Sequence, residues 1–219
     1  MNLGVLFRDE FEGFARSKAM LALWIGLPAL VILLRLIRPD QAQMPLFLFT
    51  GILIGTIGGT LSAVMISTSI TTDRLNGAFD LFLIRPVRRS TLILAKYLAT
   101  ISVLLIASAL ALGIGIVTDI AAGYPVGSLV EAALDPLLLS LSGMAIACAA
   151  GVLLGILMNS VMASAIVSVY LGNQLSAVAL LPALLLPQAN TTLIALGLGV
   201  GVPALLLLLA IRVFARKSV

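Results

Sequence analysis

With 219 residues, 61% of them hydrophobic and 10% charged, and a mean hydropathy of +1.21, the chain is too apolar for a soluble domain, in which about a quarter of residues are charged. One cysteine and no histidine exclude an intrachain disulfide, zinc sites of the usual Cys/His kind and histidine-based acid–base catalysis. The net charge of +4 does not mark a nucleic-acid binder, because the charges fall mostly at the ends of apolar runs, where membrane proteins carry them.

Residues 136–211 contain no charged side chain, and one helical crossing takes about 20 apolar residues, so this region alone crosses about three times. The runs are continuously apolar rather than alternating, which favours an all-α bundle over a barrel, since a helix satisfies its own backbone in lipid. In chain order, residues 1–18 read as an N-terminal interfacial helix. Leu3, Phe7, Phe11 and Phe14 share a stripe, while Arg8, Asp9, Glu12 and Arg16 lie elsewhere around it. A cleaved signal peptide is the competing reading; the long apolar run 19–34 and a leader as acidic as it is basic weigh against it.

Six transmembrane helices are then expected, at 19–37, 46–70, 91–117, 136–157, 161–181 and 193–213, in a single domain covering 1–219. Residues 71–90 form the loop on one side between spans 2 and 3, and 118–135 the longest segment on the other. Eleven of the thirteen Lys and Arg residues fall on the side of the termini if there are six spans, so both termini and the 71–90 loop are placed in the cytoplasm and 118–135 outside. Arg35 and Arg38 are the exceptions. They share a face at the outer end of span 1, where pairing with Asp40 or lipid phosphates competes with contact to a departing anionic headgroup.

The 71–90 loop is unusually charged for this chain. Asp73 can cap a short helix of about 74–84 and Pro86 cannot continue it, while Leu75, Ala78, Phe79 and Phe82 recur at helical spacing. An amphipathic cytoplasmic helix results, presenting Asp73, Arg74, Asn76 and Asp80. On spacing alone it either sets topology or docks a partner.

Asp73, Gly77, Phe79, Leu81, Leu83, Pro86 and Lys96 together resemble the loop between spans 2 and 3 in the type-2 family of ABC exporter permeases. The surface helix, the six spans, the long outer segment and the polar break PQANTT before span 6 are similar to that family as well, so the resemblance covers essentially the whole chain. Two departures stand out: the usual Glu is Asp73, and the usual Gly-Thr is Gly77-Ala78.

The resemblance implies a coupling helix seated in a groove of a separate ABC ATPase subunit, with Asp73, Arg74, Gly77, Phe79 and Asp80 as docking residues. It implies two ATPase copies, a second permease copy or a similar chain, and export of a small or amphipathic substrate across the cytoplasmic membrane. None of the three lysines lies in a phosphate-binding G-x-x-x-x-G-K-[ST] context, so the chain itself is expected to bind no cofactor and to be no enzyme, with ATP and Mg held by the partner.

Other features admit bland and sharp readings. Gly51, Gly55 and Gly59, spaced by four, offer a face for close helix packing within the subunit, or for a dimer seam or pore. Gly151/Gly155 and Gly197/Gly201 repeat the pattern. Asn173 and Gln174 inside span 5 either bond a neighbouring helix or mark the translocation path. The hydroxyls of Ser62, Ser67, Thr68, Ser69, Thr71 and Thr72 can bond back to helix carbonyls, and Glu131 and Asp135 can cap span 4.

A secondary transporter or channel without an ATPase is the alternative function. Against it, no Asp, Glu, Lys or Arg stands in the central third of any span. Within the ABC family, the short length also resembles the membrane subunit of the haem exporter, although histidine, one usual haem ligand, is absent.

Overall fold

The computed structural model describes residues 3–37, 46–77, 89–123, 125–178 and 191–216. Among these, seven helices follow in order: α1 (Leu3–Ala15), α2 (Lys18–Ile37), α3 (Leu46–Leu75), α4 (Arg89–Ala121), α5 (Val126–Leu157), α6 (Val161–Val178) and α7 (Thr191–Arg216). The described residues are all-α. Five helices, α3 to α7, contain stretches long and apolar enough to cross a membrane; the corresponding part of α2, Trp24–Ile37, is shorter. The chain is thus a multi-pass membrane protein.

Helix ends follow from local chemistry. Ser17 caps α2, its hydroxyl accepting the Met20 N–H at 3.2 Å. α3 stops where Gly77 turns left-handed, at φ 66°, with its N–H on the Arg74 carbonyl at 3.2 Å. α4 stops in the same way at Gly123, at φ 95°. α3, α4 and α5 have 30, 33 and 32 residues, so each is about 45–50 Å long at 1.5 Å per residue, against a hydrocarbon core of about 30 Å. Their ends therefore overhang the apolar layer, which lets charged side chains sit there.

α3 is the hub. Ile66 and Ile70 join Leu92, Ile93 and Tyr97 of α4, Val152 and Ile156 of α5, and Leu207 and Phe214 of α7 in one buried cluster. A second cluster joins Met20, Leu27 and Val31 of α2 to Ile54 of α3, to Val103, Leu104 and Ala107 of α4, and to Met144 of α5, with Phe11 and Phe14 of α1 packed against it.

Two boundaries differ from the sequence expectation. The separate helix of about 74–84 does not begin at Asp73: α3 runs unbroken to Leu75, because Thr71, Thr72 and Asp73 continue its hydrogen bonding, as in the Asn76 N–H to Thr72 carbonyl bond of 2.9 Å. The segment 118–135 is not a long connection, since α4 extends to Ala121 and α5 already begins at Val126 after Pro125. Glu131 and Asp135 accordingly fall within α5, ahead of its apolar stretch Leu137–Leu157.

Candidate functional site

The chemistry of the described residues gathers where α3 ends. Lys96, seven residues into α4, is only 4% exposed, and an ammonium there needs acceptors for all three of its N–H groups. It has them. The Glu10 carboxylate of α1 lies at 2.8 Å, the Asp73 carboxylate of α3 at 2.8 Å and the Ser69 hydroxyl at 3.3 Å. The Phe14 ring stands 5.9 Å from the ammonium, at the edge of cation–π range.

One residue further on, Arg74 points to the opposite side of α3. Its guanidinium donates to the carbonyls of Ile156 and Met158 and, at 3.1 Å, to the Asn159 side chain. The last carbonyls of a helix have no partner within it, and a cation beside them also opposes the negative end of the helix dipole. Arg74 thus closes the end of α5 and holds the short link to α6. Adjacent residues fasten the last turn of α3 to α1 and α4 on one side and to α5 and α6 on the other.

Above this junction α3 meets α6 in a register of four. The Thr71 and Ser164 hydroxyls bond each other at 3.1 Å and Ser168 donates to the Ser67 hydroxyl at 2.7 Å; Gly172 then lies against Ala63, and Ser176 against Gly59. The helices run antiparallel along this seam. Toward α5 the contact is parallel: Ser140 donates to the Gly51 carbonyl at 2.7 Å, a Cβ on Gly151 would stand 2.7 Å from the Ala63 Cα, and Gly155 abuts Ser67. Of the inner hydroxyls, Thr68 bonds back to the Val64 carbonyl at 2.7 Å, while Thr71 also reaches across to the Gly155 carbonyl at 3.1 Å.

The site residues expected from the sequence lie at different depths. Asp73 and Arg74 are turned into the protein by Lys96 and the α5–α6 link instead of facing outward, since a buried ammonium and open helix carbonyls attract them inward. Gly77 forms the turn after α3, and Phe79, Asp80 and Arg38 lie outside the described residues. Arg35 is half-buried in the last turn of α2. Gly51, Gly55 and Gly59 are buried at the α3 seams; a Cβ on Gly55 would come within 2.9 Å of Ser140. Asn173 and Gln174 are exposed on the side of α6 away from Ser164, Ser168, Gly172 and Ser176. Gly197 and Gly201 are not close-packing positions, as nothing stands within 4 Å of an added Cβ; Gly199, against Ser142, is.

Glu10 escaped the sequence reading, and so did the serines of α6. Glu10 lies four residues from both Leu6 and Phe14, inside the buried stripe of α1, and a carboxylate on an apolar stripe is the signal that would have found it. Ser164, Ser168, Gly172 and Ser176 carried the same four-residue spacing as the glycines of span 2.

A cavity of about 230 Å³ opens between α4, α5 and α7, bounded by Leu105, Leu138, Leu141, Ser142, Leu196 and Val200. It is smaller than the about 300–1,000 Å³ of a drug-sized site. The Ser142 hydroxyl inside it is spent on the Leu138 carbonyl at 2.7 Å, so it has little with which to orient a polar substrate.

A comparison with curated proteins gave no match. A family profile described as "ABC-2 family transporter protein" matches residues 6–179, most of the chain and all of α3 to α6, the helices that build the junction. With apolar helices long enough to cross a membrane and this match, the chain belongs to the ABC-2 family of transporters, as a type-2 ABC permease.

Proposed function

We propose that the protein is the membrane subunit of an ATP-driven exporter, moving a small or amphipathic substrate out of the cytoplasm with energy from a separate ATPase. Six spans, with α2 as the first, put both termini and the junction around Lys96 on the cytoplasmic side of the cell membrane. Two copies, or one copy and a similar chain, work with two ATPase subunits that hold ATP and Mg. The 71–90 stretch is the docking segment.

The observation that supports this reading is the two-sided anchoring of the last turn of α3 by Asp73 and Arg74, directly before the chain enters residues 78–88. A segment pushed by an ATPase needs a stiff attachment to several spans at once. Asp73 and Arg74 serve as that attachment, which leaves Gly77, Phe79 and Asp80 as the residues that meet the ATPase, Phe79 as the apolar anchor. The exposed face of α6 carries Asn173 and Gln174 beside Met162, Ile166, Val169 and Tyr170. Amides are costly against lipid, so that face turns toward the second copy and the translocation path.

The test is purification of the tagged chain from its host in mild detergent, with mass spectrometry of what accompanies it. An ATP-binding subunit should co-purify and be lost, by about tenfold or more, when Phe79→Ala removes the anchor, since buried aromatic anchors contribute about 2 kcal/mol or more. Recovery of the chain alone in every detergent tried would overturn the reading in favour of a carrier or channel that needs no ATPase.

A further inference from the structure

Lys96 is the one cation among the described residues that is both nearly buried and held by two carboxylates from different helices. Asp73 alone would suffice to neutralise it. The second carboxylate, Glu10, comes from α1, a helix otherwise held only by side-chain packing: Leu6 is buried, Phe11 and Phe14 are partly buried, and Leu3 and Val5 are exposed. Two features make the contact specific. The ammonium uses all three N–H groups, on Glu10, Asp73 and Ser69, so Glu10 occupies a defined position and not a diffuse one. The aliphatic and aromatic neighbours keep water from the ammonium, with Phe14 near it and Leu92 and Ile93 buried one turn before it, while the Glu10 and Asp73 side chains stay 22% and 32% exposed.

We propose that Glu10 and Lys96 are positioning residues that latch α1 to the last turn of α3 and the first turns of α4, so that α1 moves with them and takes part in coupling. Lys96 is shared by Glu10 and Asp73, and Asp73 sits near the start of the docking segment, four residues before Gly77. A displacement of that segment pulls on Asp73, and the shared ammonium passes it to α1 as well as to α4. Without Glu10 the Lys96–Asp73 pair remains and the bundle stays closed, but α1 is held by the packing of Leu6, Phe11 and Phe14 alone. This inference rests on the proposed coupling role of residues 71–90.

The experiment uses the full chain with its co-purified ATPase in lipid vesicles and compares wild type, Glu10→Gln and Glu10→Asp. Backbone hydrogen exchange reports α1 and the start of α4; the hydrolysis rate of the complex, relative to that of the isolated ATPase subunit, reports coupling. The latch predicts that wild-type α1 exchanges about as slowly as the start of α4. In Glu10→Gln, α1 should exchange at least about tenfold faster while α4 is unchanged, and hydrolysis should return to the rate of the isolated subunit although the subunit stays bound. Glu10→Asp, which keeps the charge, should retain most of both effects.

Gln matches Glu in shape and Asp does not, so a purely packing role reverses the order of the two variants and overturns the latch. Faster exchange in Glu10→Gln with hydrolysis unchanged overturns the coupling role. Should Glu10→Gln fail to fold, wild type and Glu10→Asp decide: α1 as labile as a free peptide in wild type overturns the proposal, as does protection lost in Glu10→Asp, and protection equal to that of α4 and mostly retained in Glu10→Asp supports it. If wild type brings no ATPase, the transporter reading fails instead, and the same exchange measurements on the chain alone still decide whether the latch exists.

Discussion

Lys96 and Arg74 show how a single side chain is used in a chain so poor in charge. A buried ammonium tolerates its site only while acceptors surround it, and removing the cation leaves Glu10 and Asp73 close together without a counter-charge. Lys96→Met should therefore destabilise the protein, by less than the about 3–5 kcal/mol of breaking a fully buried pair because both carboxylates keep contact with water, visible as a drop in the thermal unfolding midpoint in detergent. Glu10→Gln should cost far less, because the remaining pair is complete. At this scale the sequence was legible only in part. Asp73, Arg74 and Lys96 stood out because charge is rare, but their partners did not: Glu10 is 86 positions from Lys96, and the carbonyls that hold Arg74 belong to a helix end 82 and 84 positions away. Their inward direction reverses the outward one expected from an isolated amphipathic helix.

Among the elements, α3 carries the clearest division of labour, with small residues against α5 and α6 and hydroxyls linking them at intervals of one turn. Small faces let helices approach closely, and in lipid that contact has to replace the hydrophobic effect. Gly55→Leu should break the α3–α5 contact at Ser140 and cost more than about 2 kcal/mol, the middle of the range for overpacking, whereas Gly197→Leu, with open space around it, should be tolerated. Equal unfolding midpoints for the two variants would disprove this distinction. The four-residue spacing alone marks the glycines of α3 as a packing face. It does not tell Gly197 and Gly201 from Gly199, because which side of α7 meets α5 depends on how the helices are rotated against one another.

At the level of the whole molecule, the proposed assembly makes a prediction of mass. Native mass spectrometry of the purified complex should give two permease chains, or this chain with a similar one, bound to two ATPase subunits; a single permease chain with the exposed face of α6 still bare would contradict the placement of Asn173 and Gln174 at the seam. That the chain is a multi-pass membrane protein, helical throughout its described residues apart from short links, follows from composition and the length of its apolar runs, since the cost of burying charge and open backbone in lipid is local and additive along each run. Membership of the transporter family is likewise legible in residues 73–96, in agreement with the family match across 6–179. Where α3 stops, which carboxylates hold Lys96 and which glycines touch a neighbour emerge only when helices far apart in the chain pack together. Such contacts depend on rotation and depth within the bundle, and no single helix carries that information in its own residues.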